Sequence, residues 1–317
     1  MKSEFQFIQY IQNRFSLSRV GDDCAVLPKN HDTDLLISAD MLVQDVDFRL
    51  EWSRPADIGH KSLAVSLSDI AAMGGNPIWG MLSLAVPDFQ WNEEFLDEFY
   101  EGWHFLAKKH GVELIGGDTS STTGKFVIDS IVMGEVPKGR AIRRSGAKPR
   151  DHIYVSGTLG GAAGGLRSLE TTQIGVASPL ISDLVTKQLR PRPQVELGKQ
   201  LNALGIVTSM IDISDGLSSD LAHICRSSGV GALIDAEQIP IDPNLIAAFT
   251  DPDETLDIAL NGGEDFELLF TVSPEDIDQL RSLDVVRIGT ITEHADILEI
   301  SQNGNPKELR PGGFRHF

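Results

Sequence analysis

Four times in this chain a short apolar run stops on, or starts from, a carboxylate beside small residues: LLISAD (35–40), VELIGGD (112–118), SMIDISD (209–215) and GGEDFELLF (262–270). Short apolar or alternating runs bounded by glycine, proline or aspartate read as β-strands. Strands are expected at 35–37, 80–86, 112–115, 126–133, 153–156, 209–214, 232–235, 266–272 and 285–291. Acids that follow strands at glycine-rich exits tend to converge on one rim of a sheet, where ligands of mixed α/β proteins bind. Asp40, Asp118, Asp212, Asp215, Glu264 and Asp265 all stand at such exits.

Helices separate several of these strands. From Pro55 to Met73 a proline in the first turn, apolar Leu63, Leu67 and Ile70, and a GGNP stop mark one helix. Asn92 caps a second, with Glu93 and Glu94 in its first turn and a stripe of Phe95, Leu96, Phe99, Trp103 and Leu106; Lys108, Lys109, His110 and Gly111 close it. A third is expected near 217–226. The segment KGRAIRRSGAKPR (138–150) is the one concentrated basic stretch and has no apolar period. A chain of 317 residues exceeds one typical core. The expected division is therefore a domain at 1–139 and another at 140–317, each mixing strands and helices. No fixed-period repeat points to a solenoid.

A formal net charge of −19 opposes attraction to nucleic acid or to an anionic membrane. No apolar run of about 18 residues is present to span a bilayer, and MKSEFQFIQYIQNRF lacks the unbroken apolar region of an export signal, which favours the cytoplasm. Cys24 and Cys225, each among apolar neighbours, read as buried hydrophobes rather than as a zinc site or a disulfide.

Any single aspartate in this set can be a turn former or a helix cap; the joint pattern points to cations. Asp69 sits near the C-terminal end of its helix, where the macrodipole disfavours an anion. Two carboxylates about 4 Å apart repel by roughly 4 kcal/mol at an effective dielectric of 20. With oxygen ligands and no Cys or His cluster, the cation expected to bridge them is Mg²⁺ or Mn²⁺, which shares its remaining positions with water and phosphate. The loop GTLGGAAGG (157–165) has two readings, a cradle of backbone N–H groups for phosphate or close helix packing. Arg143 and Arg144 are candidate donors to a polyphosphate.

The ordered pieces GDDCAVL (21–27), ISAD (37–40), SLAVSLSDIAAMGGNP (62–77), LIGGDTS (114–120), GRAIRRSGAKPRD (139–151), IDISDGLSSDL (211–221) and NGGEDFELLF (261–270) resemble the thiamine-monophosphate kinase family. That family belongs to a superfamily that includes aminoimidazole ribonucleotide synthetase. The resemblance covers nearly the whole chain. It implies two α/β domains, a homodimer paired through the N-terminal sheets, and transfer of the γ-phosphoryl group of ATP to thiamine monophosphate. Carried over by position, Asp23, Ser38, Asp40, Asp69, Asp118, Asp212 and Asp215 would organise several Mg²⁺ ions. Gly117, Asp118, Arg144 and Ser214 would contact ATP, and Glu264 and Phe314 would lie against the thiamine part. Asp22 would orient the ligand set. The chain departs from the family at Asp47, where VQDVDF replaces a histidine-containing segment, and at Ala39, where threonine is common. Asp47 is kept as a candidate substrate residue facing the cationic thiazolium.

The implied chemistry is direct in-line transfer, with Asp212 and Arg144 as the residues that carry it. The attacking phosphate oxygen is already an anion, so no side chain needs activation, and the problem is to bring two anions together. The alternatives are another ATP-dependent enzyme of the superfamily, such as a ribonucleotide cyclo-ligase, and a noncatalytic nucleotide-binding relative.

Overall fold

Along the strand Thr33–Val43 the even-numbered Leu36, Ser38 and Leu42 are buried while Ala39 and Met41 are exposed, the alternation of a sheet covered on one face. A computed structural model describes residues 4–17, 19–171 and 178–314. The first half runs α1 (Glu4–Phe15), β1 (Ala25–Pro28), β2 (Thr33–Val43), α2 (Pro55–Ala72), β3 (Asn76–Pro87), α3 (Glu93–His110), β4 (Glu113–Thr122) and β5 (Val127–Pro137). The second runs β6 (His152–Ser156), α4 (Gly161–Thr171), α5 (Pro179–Leu189), α6 (Val195–Leu204), β7 (Val207–Asp212), α7 (Leu217–Ser228), β8 (Gly231–Asp235), α8 (Pro243–Ala248), α9 (Pro252–Asn261), β9 (Leu268–Val272), β10 (Val285–Thr292), β11 (Leu298–Gln302) and β12 (Asn305–Glu308). The mixed α/β class expected from the sequence is the class observed.

The first sheet has the order β1-β2-β5-β3-β4 and is antiparallel except for the β3–β4 pair. The second has the order β12-β11-β8-β10-β6-β9-β7. Helix α2 lies between the halves, against β2 and β5 on one side and α6 and β7 on the other. It is therefore buried nearly all round, as a helix apolar on several faces must be. Where α2 crosses α3, a Cβ on Gly102 would stand 1.9 Å from the Ala56 carbonyl oxygen, so only glycine lets the backbones approach so closely. One hydrophobic cluster runs from Leu36 and Val132 through Leu63 and Leu67 to Met210 and Phe270, joining both sheets across α2. A second gathers under α7 around Ile153, Leu221 and Ile234.

One expectation needs correction. Asp40 and Asp118 do not follow their strands but lie within them, because β2 continues to Val43 in register with β5 and β4 continues to Thr122 in register with β3. Glycines read as a strand exit are here absorbed by ladder pairing. The basic segment after β5 has no helix or strand and most of its residues are exposed, yet its backbone is pinned. Ile142 N donates to Met73 O at 3.2 Å, and Met210 N donates to Arg143 O at 2.9 Å. Strand β4 ends the first sheet with its residues exposed, Leu114 and Ile115 among them.

Candidate functional site

An open cleft of about 1210 Å³ runs between the halves, with α2 as its floor. Asp57, Lys61, Val65 and Asp69, spaced by four along α2, all line it. That spacing keeps them on one face of the helix and puts Asp69 roughly 12 Å along the axis from Lys61.

At the Asp69 end the acids meet. Asp23, Asp69 and Asp212 each place a carboxylate oxygen within 4.8 Å of the others. Ser38 Oγ donates to Asp69 Oδ2, and to Asp40 Oδ2 at 3.0 Å. Ser66 Oγ donates to Asp40 Oδ2 at 2.7 Å, and Ser68 Oγ to Asp212 Oδ2 at 2.6 Å. The twin aspartates of GDD are matched by the twin arginines of IRRS. Arg143 Nη1 reaches Asp22 Oδ2 at 2.7 Å, while Arg144 gives Nε and Nη2 to Asp23 Oδ1 at 3.0 and 2.6 Å. Asp23 Oδ2 is buried with no partner among the described residues.

The electrostatics follow from crowding. Burial, then repulsion from Asp40, Asp212 and Asp23, pushes the Asp69 carboxyl well above the usual range. Burial and repulsion from Asp23 push Asp212 up to about 7. Burial also raises Asp23 and Asp40, although Arg144 opposes it at Asp23 and the serine hydroxyls oppose it at Asp40. A cluster of buried carboxylate oxygens, one without a partner among the described residues, fits a hard divalent cation and fits no soft one.

Ser214, Asp215 and Phe314 also line the cleft. Asp215 N and Gly216 N donate to the buried Asp220 carboxylate at 3.2 and 3.1 Å, and Phe314 N donates to Asp215 O at 3.0 Å. His223, which the sequence reading did not single out, brings a ring nitrogen within 4.8 Å of Asp215 and Asp220 oxygens. Burial, with the cations of Arg144 and Arg226 nearby, pulls it down to about 4, so its imidazole is neutral at physiological pH.

Asp118 does not join this group within one chain. It pairs with Ser83, whose row continues through Asp129 to Met41, whereas Asp40 pairs with Ser130, so the two aspartates project from opposite faces of the sheet. Three strand spacings, roughly 14 Å, also separate them. Gly117, at φ +153°, lets β4 lie against β3, where a Cβ would stand 1.9 Å from Leu82 O.

At the Lys61 end, Glu264 takes the left-handed region at φ 68° and is tied by its N–H to Ser214 O at 2.8 Å. Its carboxylate meets Lys61 Nζ at 2.6 Å and accepts from Gln188 Nε2. Lys61 Nζ also donates to Asp47 O at 3.0 Å. Asp47 lines the cleft, but its Oδ2 accepts Val43 N at 2.7 Å and so closes the turn after β2. Lys61 and Gln188 escaped the sequence reading because GHKSL looks like any helix lysine until the second half packs over it.

For the glycine-rich loop, packing is the reading that holds. Its N–H groups at Gly160 and Ala162 donate to the buried Asp265 carboxylate at 2.6 and 3.2 Å, occupying the donors a phosphate would need. Beside it Glu267 accepts from Ser156 Oγ, and burial pushes Glu267 up to about 7. A carboxyl raised on folding stays protonated in the folded protein while the unfolded chain has ionised it. Its contribution is thus lost as pH rises from about 4.5 through about 7. Glu267→Gln is expected to flatten that part of the stability–pH curve and to exceed the wild type in urea midpoint at about pH 8; unchanged slopes would contradict the burial argument.

The sequence matches the AIR synthase related protein family, its N-terminal domain over residues 21–136 and its C-terminal domain over residues 148–299. It is 40% identical over 332 residues to thiamine-monophosphate kinase of Escherichia coli K12, covering 99% of this chain and 98% of that protein. To thiamine-monophosphate kinase of Bacillus subtilis 168 it is 39% identical over 308 residues, covering 94% and 93%. The fold superposes on a solved structure of AaThiL complexed with AMPPCP and TMP at a TM-score of 0.89, with 30% identity and coverage of 99% and 97%.

Proposed function

The chain belongs to the thiamine-monophosphate kinases of the AIR synthase related family, and from that premise we propose how its cleft divides the work. The reaction transfers the γ-phosphoryl group of ATP to the phosphate of thiamine monophosphate, giving thiamine diphosphate and ADP. The observation that carries the proposal is that a nest of buried carboxylates and the Glu264 wall line one continuous cleft.

In this reading Asp23, Asp69 and Asp212, with Ser38 and Asp40 beside them, hold Mg²⁺, and Asp215 with Asp220 offers a further oxygen site. When bound, Mg²⁺ supplies positive charge that offsets the phosphate oxygens of both substrates. Arg144 spends two N–H groups on Asp23 and keeps others for a phosphate oxygen, so one guanidinium both steadies a ligand and meets the nucleotide. Ser214 sits at the turn between Asp212 and Asp215, where its chain position serves the same nucleotide. Glu264 and Phe314 receive the thiamine part, whose thiazolium cation suits a carboxylate. The acceptor phosphate needs no general base, so the chain contributes alignment of attacking oxygen, phosphorus and leaving oxygen.

The active unit in this proposal is a homodimer paired through the first sheet, in which Gly117 and Asp118 complete the partner's cleft. Support comes from the exposed edge strand β4 and from the opposite facing of Asp118 and Asp40 within one chain.

Purified protein given ATP and Mg²⁺ is expected to form thiamine diphosphate from thiamine monophosphate and none from free thiamine. Asp212→Asn should lower that turnover by about a hundredfold or more while the circular dichroism stays native. Product from free thiamine, or near-normal turnover by the variant, would contradict the assignment. Mixing inactive Asp118→Asn and Asp212→Asn protomers should restore about half the wild-type turnover in each mixed dimer, because one cleft then has both acids intact. No recovery would place Asp118 in its own chain's site.

A further inference from the structure

Lys61 is buried, with 3% of its surface exposed, at the junction of the two halves. A lysine so placed needs partners, and it has two that belong to opposite walls of the cleft. On one side is the Asp47 carbonyl oxygen at 3.0 Å, in the turn after β2; on the other is Glu264 Oε1 at 2.6 Å, in the loop before β9. The second Glu264 oxygen is taken by Gln188 Nε2 from α5. Both oxygens being engaged, a change of rotamer at Glu264 would break one bond or the other. The backbone beneath is equally constrained, since a left-handed non-glycine residue persists only where its surroundings hold it. Along α2, Lys61 lies two turns from Asp69, so its influence falls on the end of the cleft away from the carboxylate nest.

We propose that Lys61 is a positioning residue for thiamine monophosphate: its ammonium fixes the Glu264 carboxylate against the Asp47 turn, and so sets affinity for the acceptor while leaving affinity for ATP alone. The inference rests on the kinase reading above and adds a residue to it. Lys61 acts through Glu264, not by touching the phosphates, since its known bonds point to the walls on either side. Removing it leaves a carboxylate with one anchor; removing both charges leaves nothing to misplace.

The test is a double-mutant cycle of Lys61→Met, Glu264→Gln and the two together. Binding of thiamine monophosphate and of ATP is measured by calorimetry, and thermal unfolding checks the fold. Lys61→Met is expected to weaken thiamine monophosphate binding about tenfold or more and ATP binding by less than about twofold. Adding Glu264→Gln should change the acceptor affinity of Lys61→Met by less than about twofold. If Lys61→Met fails to fold, the double variant, which has no unpaired charge, is compared with Glu264→Gln instead; equal acceptor affinities are expected. Equal losses for both ligands, effects that multiply, or unchanged or tighter acceptor binding in Lys61→Met would overturn the inference. Wild-type turnover of thiamine monophosphate, measured alongside, tests the kinase reading by itself: absent product with Lys61-dependent binding would sink that reading and keep this one.

Discussion

Everything in the cleft depends on keeping carboxylates together that repel one another. Asp23, Asp40, Asp69 and Asp212 come from a loop, a strand, a helix and a strand end; burial raises all of them, and repulsion within the group adds to it at Asp40, Asp69 and Asp212. Unopposed, such a group would separate or stay protonated. The chain opposes it with one half-buried guanidinium and three serine hydroxyls: Arg144 on Asp23, Ser38 on Asp40 and Asp69, Ser66 on Asp40, and Ser68 on Asp212. Because Ser66, Ser68 and Asp69 stand on α2, and Arg144 on the segment joining the halves, the packing of the halves on that helix is also what assembles the nest.

Helix α2 thus carries three jobs on different faces. Leu63, Leu67 and Ile70 fill the core shared by both sheets. Ser66 and Ser68 point hydroxyls at acids brought by β2 and β7. The stripe of Lys61, Val65 and Asp69, spaced by four, forms the cleft floor, linking the acceptor end to the phosphate end over two turns. Shifts of this helix would move both ends together, which suits a site that must align two anionic substrates along one line.

Much of this was legible in the sequence. The mixed class, the two long helices, one by its first-turn proline and glycine stop and the other by its Asn92 cap, and the gathering of Asp23, Asp69 and Asp212 were all readable, because local end signals and ordered motifs carry them. What was not readable depends on contacts far apart in the chain. The pairing of Asp22 with Arg143 and of Asp23 with Arg144 spans more than a hundred residues, so the arginines read as free donors for phosphate. Asp118 read as a strand-end acid because Gly116 and Gly117 look like an exit; a parallel ladder with β3 carries the strand past them. The glycine-rich loop read as a cradle or as packing, and only the position of Asp265 decides between the two. Lys61 was silent since its burial depends on long-range packing, with its charge partner Glu264 lying about two hundred residues further along the chain.

The most direct test is a crystal structure grown with a nonhydrolysable ATP analogue and Mn²⁺ in place of Mg²⁺, with the ions located by anomalous scattering. Anomalous peaks bonded to Asp23, Asp69 and Asp212, with the triphosphate drawn along them beside Arg144, are the expected result. Nucleotide bound elsewhere, or those three carboxylates without an ion among them, would contradict it.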